Sequence, residues 1–218
     1  GSYDVPTYNV GEGGSWWGAY GEGDFPYTLI DGNDNLPDIV IGRMSVRSGT
    51  ELTTVINKII GYEKNYSGDT EWLNAAALVG DPYDSGISTV ITNEYIGNIL
   101  EAYNFDDVHG NYGNGNYANW MENELEDGCF YMNYRGYYGT SGFGSSEING
   151  ANNSYKTPFA VFITCGTGDF NSTSLSEQLY RAGSVSNPKG AVAAIGTATT
   201  GTHTLFNNIV NMGIFDGI

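Results

Sequence analysis

Apolar positions along this chain change their period at regular intervals, and the changes mark out its elements. "DIVIGR" (38–43) is a short β-branched run, which predicts a strand. "ELTTVINKIIGYEKNY" (51–66) then places Leu52, Val55, Ile56, Ile59 and Tyr62 on one helical face, with Thr50 as the expected N-cap. "AAALVG" (75–80) reads as a buried strand. Tyr95, Ile96, Ile99, Leu100 and Tyr103 mark a second amphipathic helix. "NFDDVHG" (104–110) is a weaker strand, and "NYANWMENELEDG" (116–128) is a helix turning Trp120, Met121 and Leu125 inward. "CFYMNYRG" (129–136) and "PFAVFITC" (158–165) are strong strands. "SLSEQLYRAG" (174–183) is a helix closed by Gly183, "GAVAAIG" (190–196) a last buried strand, and a final helix surrounds "TLFNNIVNMG".

Apolar strands alternating with helices predict an α/β sandwich whose largely parallel sheet is covered on both faces. Residues 1–36, dense in Gly, Asp and turn dipeptides, read as a loop-rich segment preceding a domain over 37–218. One connection breaks the rhythm: residues 134–157 are rich in Gly, Ser and Asn, and a loop that long inside a compact domain is usually functional or mobile. In parallel α/β sheets ligands bind beyond the carboxyl ends of the strands. Four loops leave those ends: "GDPYDSG", "YRGYYG", "CGTGDF" and "TATTGTHT".

Composition narrows the partners. Eight basic against 25 acidic residues give a formal net charge of −17, which argues against nucleic acid or anionic lipid, since both need neutralising Lys and Arg. With 32 Gly and 17 Tyr the balance suits an extracellular protein. No apolar run reaches the ~18 residues of a membrane span, and no signal peptide is visible. The leading Gly1-Ser2 reads as a cloning remnant, and the unpunctuated ending "NMGIFDGI" suggests a fragment or processed product.

The two cysteines, Cys129 and Cys165, could form one disulfide. Each follows or opens its own buried strand, so two free thiols are the default expectation. Cys165 ends an apolar run and opens the Gly-rich turn "CGTGDF". A thiol placed there can meet a substrate carbonyl, with its own amide or that of Gly166 helping to hold the oxyanion. A buried structural cysteine is the competing reading.

"NLPDIVIGRMSV" with its following helix, "MNYRGYYG", "PFAVFITCGTGDF" and "SEQLYRAG…PKGAVAAIG" recur in this order and at similar spacing in gingipain-type cysteine peptidases. The chain resembles that family over roughly 36–215. The resemblance implies a caspase-like three-layer α/β sandwich and a secreted bacterial endopeptidase with Cys165 as nucleophile, acting on a peptide or protein substrate. It also implies that part of the domain lies N-terminal to residue 1, so that another segment or chain completes it.

The family carries its catalytic His in an Asn-Tyr-x-Gly-His-Gly pattern, where this chain reads Asn133-Tyr134-Arg135-Gly136-Tyr137-Tyr138-Gly139. Tyr137 thus stands in the His position. A phenol, with an ordinary pKa near ~10, is a poor base at neutral pH, whereas imidazole near ~6.5 is well matched. The alternative reading is a pseudopeptidase that binds peptides or serves in a surface assembly. Of the two histidines, His109 belongs on the far side of the sheet, and His203 belongs near Cys165, as a surrogate base or as a cleft-lining or turn residue.

By the same resemblance Gly136 donates its amide to the oxyanion, Tyr137 or Tyr138 donates a phenolic hydrogen bond or walls the cleft, and Asp81 is the supporting acid or merely a cap. Thr202, beside His203, belongs with Tyr138 and Gly166 among substrate-binding positions. The pocket acid of relatives that cut after Arg or Lys falls near Thr89, so cleavage after basic residues is not expected. The chemistry needs no cofactor. Asp31, Asp34 and Asp38, with Asn33 and Asn35, form an oxygen-rich cluster that suits a structural Ca²⁺ or a solvated turn. Trp16 and Trp17 suit stacking on a sugar or peptide, or covering of the core.

Overall fold

The computed structural model describes residues 5–9, 22–170 and 172–217, so Trp16 and Trp17 lie outside the described residues. Short strands β1 (Tyr8–Asn9) and β2 (Glu22–Gly23) pair antiparallel. The main body runs α1 (Gly49–Glu63), β3 (Ala75–Gly80), α2 (Ser88–Ala102), β4 (Asp107–Tyr112), α3 (Tyr117–Asp127), β5 (Tyr131–Arg135), α4 (Ser145–Gly150), β6 (Phe159–Phe162), α5 (Leu175–Arg181), β7 (Ala193–Gly196) and α6 (Thr204–Asp216). Its five strands lie in the order β4-β3-β5-β6-β7, every pair parallel.

Period-2 alternation sorts the strand residues between two cores. Ala75, Ala77, Val79, Met132, Tyr134, Ala160 and Phe162 pack with Met121 and Leu125 of α3, Ile148 of α4 and Leu175 and Leu179 of α5. Ala76, Leu78, Val161 and Ile163 face the other way, onto Ile96 and Leu100 of α2 and Phe215 of α6. This is the expected α/β sandwich, with helices on both faces of a parallel sheet. The chain runs from β3 to β4 on one side and then crosses to β5 on the other. The strand order therefore reverses between β3 and β5, where such folds open a crevice at their carboxyl ends.

Four local expectations are corrected. Residues 38–43 form no ladder: Val40 is fully exposed, and a cavity of about 750 Å³ separates this stretch from the outer edge of β7. A β-branched run becomes a strand only where backbone partners lie within reach. The N-cap of α1 is Ser48, whose hydroxyl accepts the Glu51 amide at 3.2 Å, not Thr50. The same helix buries Thr54, Val55, Lys58 and Gly61 and leaves Leu52 and Ile56 exposed. The long 134–157 connection contains α4, whose N-cap Gly144 donates its amide to the Glu147 side chain.

Lys58 explains the rotation of α1. Its ammonium reaches into the turn after α5, donating to the carbonyls of Tyr180 (2.5 Å), Lys189 (3.0 Å) and Ala191 (3.1 Å), with the Leu179 carbonyl at 3.4 Å. Carbonyls left without helix partners thereby gain a charged donor. The cysteines are both free, as expected. Cys129 is fully buried, and burial pushes its thiol well above the ordinary range.

Candidate active site

The carboxyl ends of β3, β5 and β6 place Asp81, Gly136–Tyr138 and Cys165 on one rim of the sheet. Cys165 is partly exposed and forms an isolated parallel bridge with Tyr138, beyond the last regular β5–β6 pair of Tyr134 with Phe162. Its turn is fixed from below. The Thr167 hydroxyl donates towards the carbonyls of Phe162 (2.5 Å) and Thr164 (2.9 Å) and accepts the Thr197 amide at 3.1 Å. Gly166 sits at φ +74°, a conformation that disfavours any residue with a Cβ, and Gly168 lies so close to Gly196 that a Cβ would come within 2.7 Å of its backbone. The two glycines let the turn fold back against the 197–199 segment.

That segment leads to Thr202, whose Oγ1 lies 3.4 Å from the Cys165 sulfur. The Asn207 side-chain amide donates to the same oxygen at 2.8 Å. With that lone pair engaged, the Thr202 proton is free to point at the sulfur. His203 is the N-cap of α6, its Nδ1 accepting the Leu205 amide at 3.1 Å. An imidazole that accepts at Nδ1 carries its proton on Nε2 in the neutral form. To take a proton at Nδ1 it must give up the cap.

The other expected residues are distributed unevenly. Tyr137 and Tyr138 are 52% and 70% exposed, so both rings stand at the rim open to a ligand. Gly136 is held tightly: a Cβ there would meet the Tyr134 hydroxyl at 2.6 Å. The amide of Gly166, expected at the oxyanion, donates instead to the Thr199 carbonyl at 3.0 Å. Asp81 is 4% exposed and fully engaged: it accepts from the Tyr83 amide (3.0 Å), the Tyr134 hydroxyl (2.9 Å) and the Ser141 hydroxyl. Its partners are tyrosine and serine rather than a histidine. Thr89 is fully buried and donates to the carbonyls of Asp81 (2.8 Å) and Gly86 (3.1 Å), which engages its hydroxyl within the fold. His109 lies on the outermost strand β4, three strands from β6, between Asp107 and Glu124.

Arg135, not anticipated from the sequence, ends β5 beneath this rim. It is 1% exposed. Its Nε donates to Asn208 Oδ1 at 2.7 Å, Nη1 to the carbonyls of Gly136 and Ile163 (3.2 Å to the latter), and Nη2 to the Thr204 carbonyl at 3.0 Å. The signal available was a lone cationic residue closing an otherwise buried strand, together with the Asn207-Asn208 pair inside an apolar helix. Neither named its partner.

Beside Thr202 opens a cavity of about 760 Å³, lined among others by Ile163, Ile195, His203, Phe206 and Val210, with no acidic residue in its wall. Away from the rim, Asp38 accepts the amides of Ile30 (2.7 Å) and Asp31 (2.9 Å), and Asp31 and Asp34 cap the amides of Gly32 and Leu36. These carboxylates are thus engaged in turns, and no group of three or more His, Cys, Asp or Glu side chains converges as a metal site among the described residues. No helix among them is long and apolar enough to cross a membrane.

The model of peptidase family C25 matches residues 1–218. Gingipain R2 of Porphyromonas gingivalis is 32% identical over 184 residues, covering 79% of this chain and 25% of the relative. Lys-gingipain of the same organism is 27% identical over 187 residues, covering 80% of this chain and 10% of the relative. Among solved structures, the Arg-specific cysteine proteinase gingipain R superposes with a TM-score of 0.74 at 28% identity, over 90% of this chain and 49% of that one. The complex of Porphyromonas gingivalis RgpB pro- and mature domains matches with a TM-score of 0.72 at 27% identity, over 89% and 49%. This chain therefore spans about a quarter or less of those curated relatives and half of those solved chains.

Proposed function

The chain belongs to peptidase family C25, with the caspase-like sandwich of the gingipains, and from that premise we propose that it is a cysteine endopeptidase whose nucleophile is Cys165. The observation that carries this reading is the placement of a partly exposed sulfur at the carboxyl end of β6, bridged to Tyr138 and 3.4 Å from Thr202. In the proposed reaction the sulfur's electron pair forms a bond to the scissile carbonyl carbon while the π pair moves to oxygen. The C–N bond then breaks, the nitrogen leaves as an amine with a proton from solvent, and water hydrolyses the thioester to restore the thiol. The amide of Gly166 being engaged, the donors for the oxyanion are those of Gly136 and Cys165. The exposed phenols of Tyr137 and Tyr138 border the peptide.

The cavity beside Thr202 receives a substrate side chain. Its wall of Ile163, Ile195, Phe206 and Val210 suits an apolar group, since a buried Lys or Arg would lose its water and find no acid. The matched pro-domain complex supports a second polypeptide segment as partner. The acidic, Gly- and Tyr-rich composition supports work outside the cell.

A second reading, a peptide-binding domain without turnover, is favoured by one observation. Tyr137 replaces the family's imidazole, while His203 spends Nδ1 on its cap. A peptidyl acyloxymethyl ketone, followed by peptide mapping, together with a fluorogenic peptide library, separates the two. The peptidase reading expects an adduct on Cys165 and turnover that vanishes in Cys165→Ala. Peptide binding to the folded chain without adduct or turnover overturns it.

A further inference from the structure

Arg135 is a buried cation whose hydrogen-bond acceptors are all neutral: the carbonyls of Gly136, Ile163 and Thr204 and the side-chain oxygen of Asn208. The ion pairs among the described residues involve Arg43, Arg47, His109, Lys156 and Arg181, and no carboxylate pairs with Arg135. Taking a guanidinium out of water without a counter-charge costs several kcal/mol even when dipoles solvate it. In a chain of net charge −17, acids were plentiful enough to supply one. The anion that would balance this cation is therefore to be sought among the groups that ionise near it.

The hydrogen bonds place Arg135 beside the segments that carry one such group, Cys165. Ile163, whose carbonyl accepts from Arg135, precedes Cys165 by two residues, and Thr204 follows Thr202 by two. The guanidinium is wedged between the two segments that meet at the contact of Cys165 Sγ with Thr202 Oγ1. A single turn of α6 organises both sides, with Asn208 holding Arg135 and its neighbour Asn207 holding Thr202. Burial lowers the guanidinium to about 10, still cationic at neutral pH, and a charge on Cys165 opposes that fall.

We propose that Arg135 is a positioning residue that holds Cys165 in its thiolate form, with the Thr202 hydroxyl donating to the sulfur. The thiol proton passes to solvent when the pair forms, so attack on a carbonyl needs no imidazole base. This role is the one left open by Tyr137 in the His position. The inference rests on Cys165 being the nucleophile, but its direct readout is the ionisation of the sulfur, which does not depend on peptide cleavage.

The test is the rate of iodoacetamide alkylation of Cys165 from pH 5.5 to 9.5 on the full chain, assigned by peptide mapping. Wild type, Arg135→Lys and Arg135→Gln are compared. An adjacent opposite charge shifts ionisation by one to three decades. Arg135→Gln is therefore expected to lose about tenfold or more in rate at pH 6 and to stay within about twofold at pH 9. Arg135→Lys, which keeps the charge, restores the pH 6 rate. A folded Arg135→Gln with the wild-type pH profile overturns the inference.

Should neither variant fold, the thiolate absorbance near 240 nm at pH 6 decides, read as wild type minus Cys165→Ser. Its presence supports the ion pair and its absence overturns it. A thiolate that depends on Arg135 without any peptide cleavage upholds the pair while the peptidase reading falls. Turnover whose pH profile ignores Arg135 does the reverse.

Discussion

The sulfur of Cys165 and the hydroxyl of Thr202 lie 3.4 Å apart although 37 residues separate them in the chain, and Asn207 fixes the hydroxyl from its far side. The sulfur is thus met by a short relay of side chains that begins in the first turn of α6. A hydrogen bond to a charged acceptor is worth about 1.5–3 kcal/mol. Thr202→Val, which keeps the shape and deletes the donor, is expected to lower alkylation and any peptide turnover about tenfold at neutral pH, with the melting temperature little changed. Rates equal to wild type would remove Thr202 from the site.

The cavity beside Thr202 makes a prediction about substrates. In a fluorogenic series varied at the residue before the scissile bond, Leu, Met or Phe should exceed Arg and Lys by about tenfold or more in kcat/KM, since a basic head group would be desolvated without an acid. Phe206→Ala should narrow that preference by enlarging the wall. A preference for Arg that survives Phe206→Ala would place the specificity pocket elsewhere.

Lys58 links stability to pH. Burial lowers its ammonium to about 7 from an ordinary 10.5. Between these values the unfolded chain binds a proton that the folded chain does not, so stability contributed here rises with pH across that window and is level below about 7. Replacing the lysine strands the carbonyls at the end of α5. Lys58→Met is expected to cost about 2–3 kcal/mol at pH 7, and the gap to wild type should widen at pH 9.5. Parallel denaturant titrations at the two pH values measure it; a constant gap would show the ammonium charged in both states.

His109 behaves in the opposite sense. The carboxylate of Glu124, 2.7 Å from Nδ1, raises its affinity for a proton, and Asp107, 2.9 Å from Nε2, adds to this against some desolvation. The raised folded value means that the stabilisation is fully present below the ordinary ~6.5 and is lost as pH rises through the folded value. His109→Gln should therefore lower the melting temperature more at pH 5.5 than at pH 9. The pair is half exposed, so ~0.5 M salt should shrink the difference. An equal effect at both pH values would mean that His109 acts by packing alone.

Much of the fold was legible in the sequence because a local period carries it. The strands over 75–80, 129–136, 158–165 and 190–196 appeared as apolar runs, and α2, α3, α5 and α6 as helical faces, since each pattern needs only its own side chains to be read. Cys165 stood out for the same local reason: a thiol at the end of a buried run, before a glycine that takes a positive φ. The Tyr at 137 was equally visible, within a short motif where the resemblance implies a His.

The rest depended on neighbours that a local pattern does not name. Residues 38–43 have the composition of a strand but no ladder, because a strand needs a partner and the nearby edge of β7 lies across a cavity. Lys58 turned inward against the periodicity of α1 because carbonyls more than 120 residues away were waiting for a donor. Thr89 and Gly166, expected at the substrate, give their donors to the Asp81 and Thr199 carbonyls brought beside them by folding. Arg135 was the least legible of all: its acceptors Thr204 and Asn208 lie 69 and 73 residues along the chain. The sequence by itself determined where chains of one polarity run and where a thiol emerges. Only the tertiary structure decided which charges and hydrogen-bonding groups surround that thiol, because those interactions are set by distances in space between segments far apart in the chain.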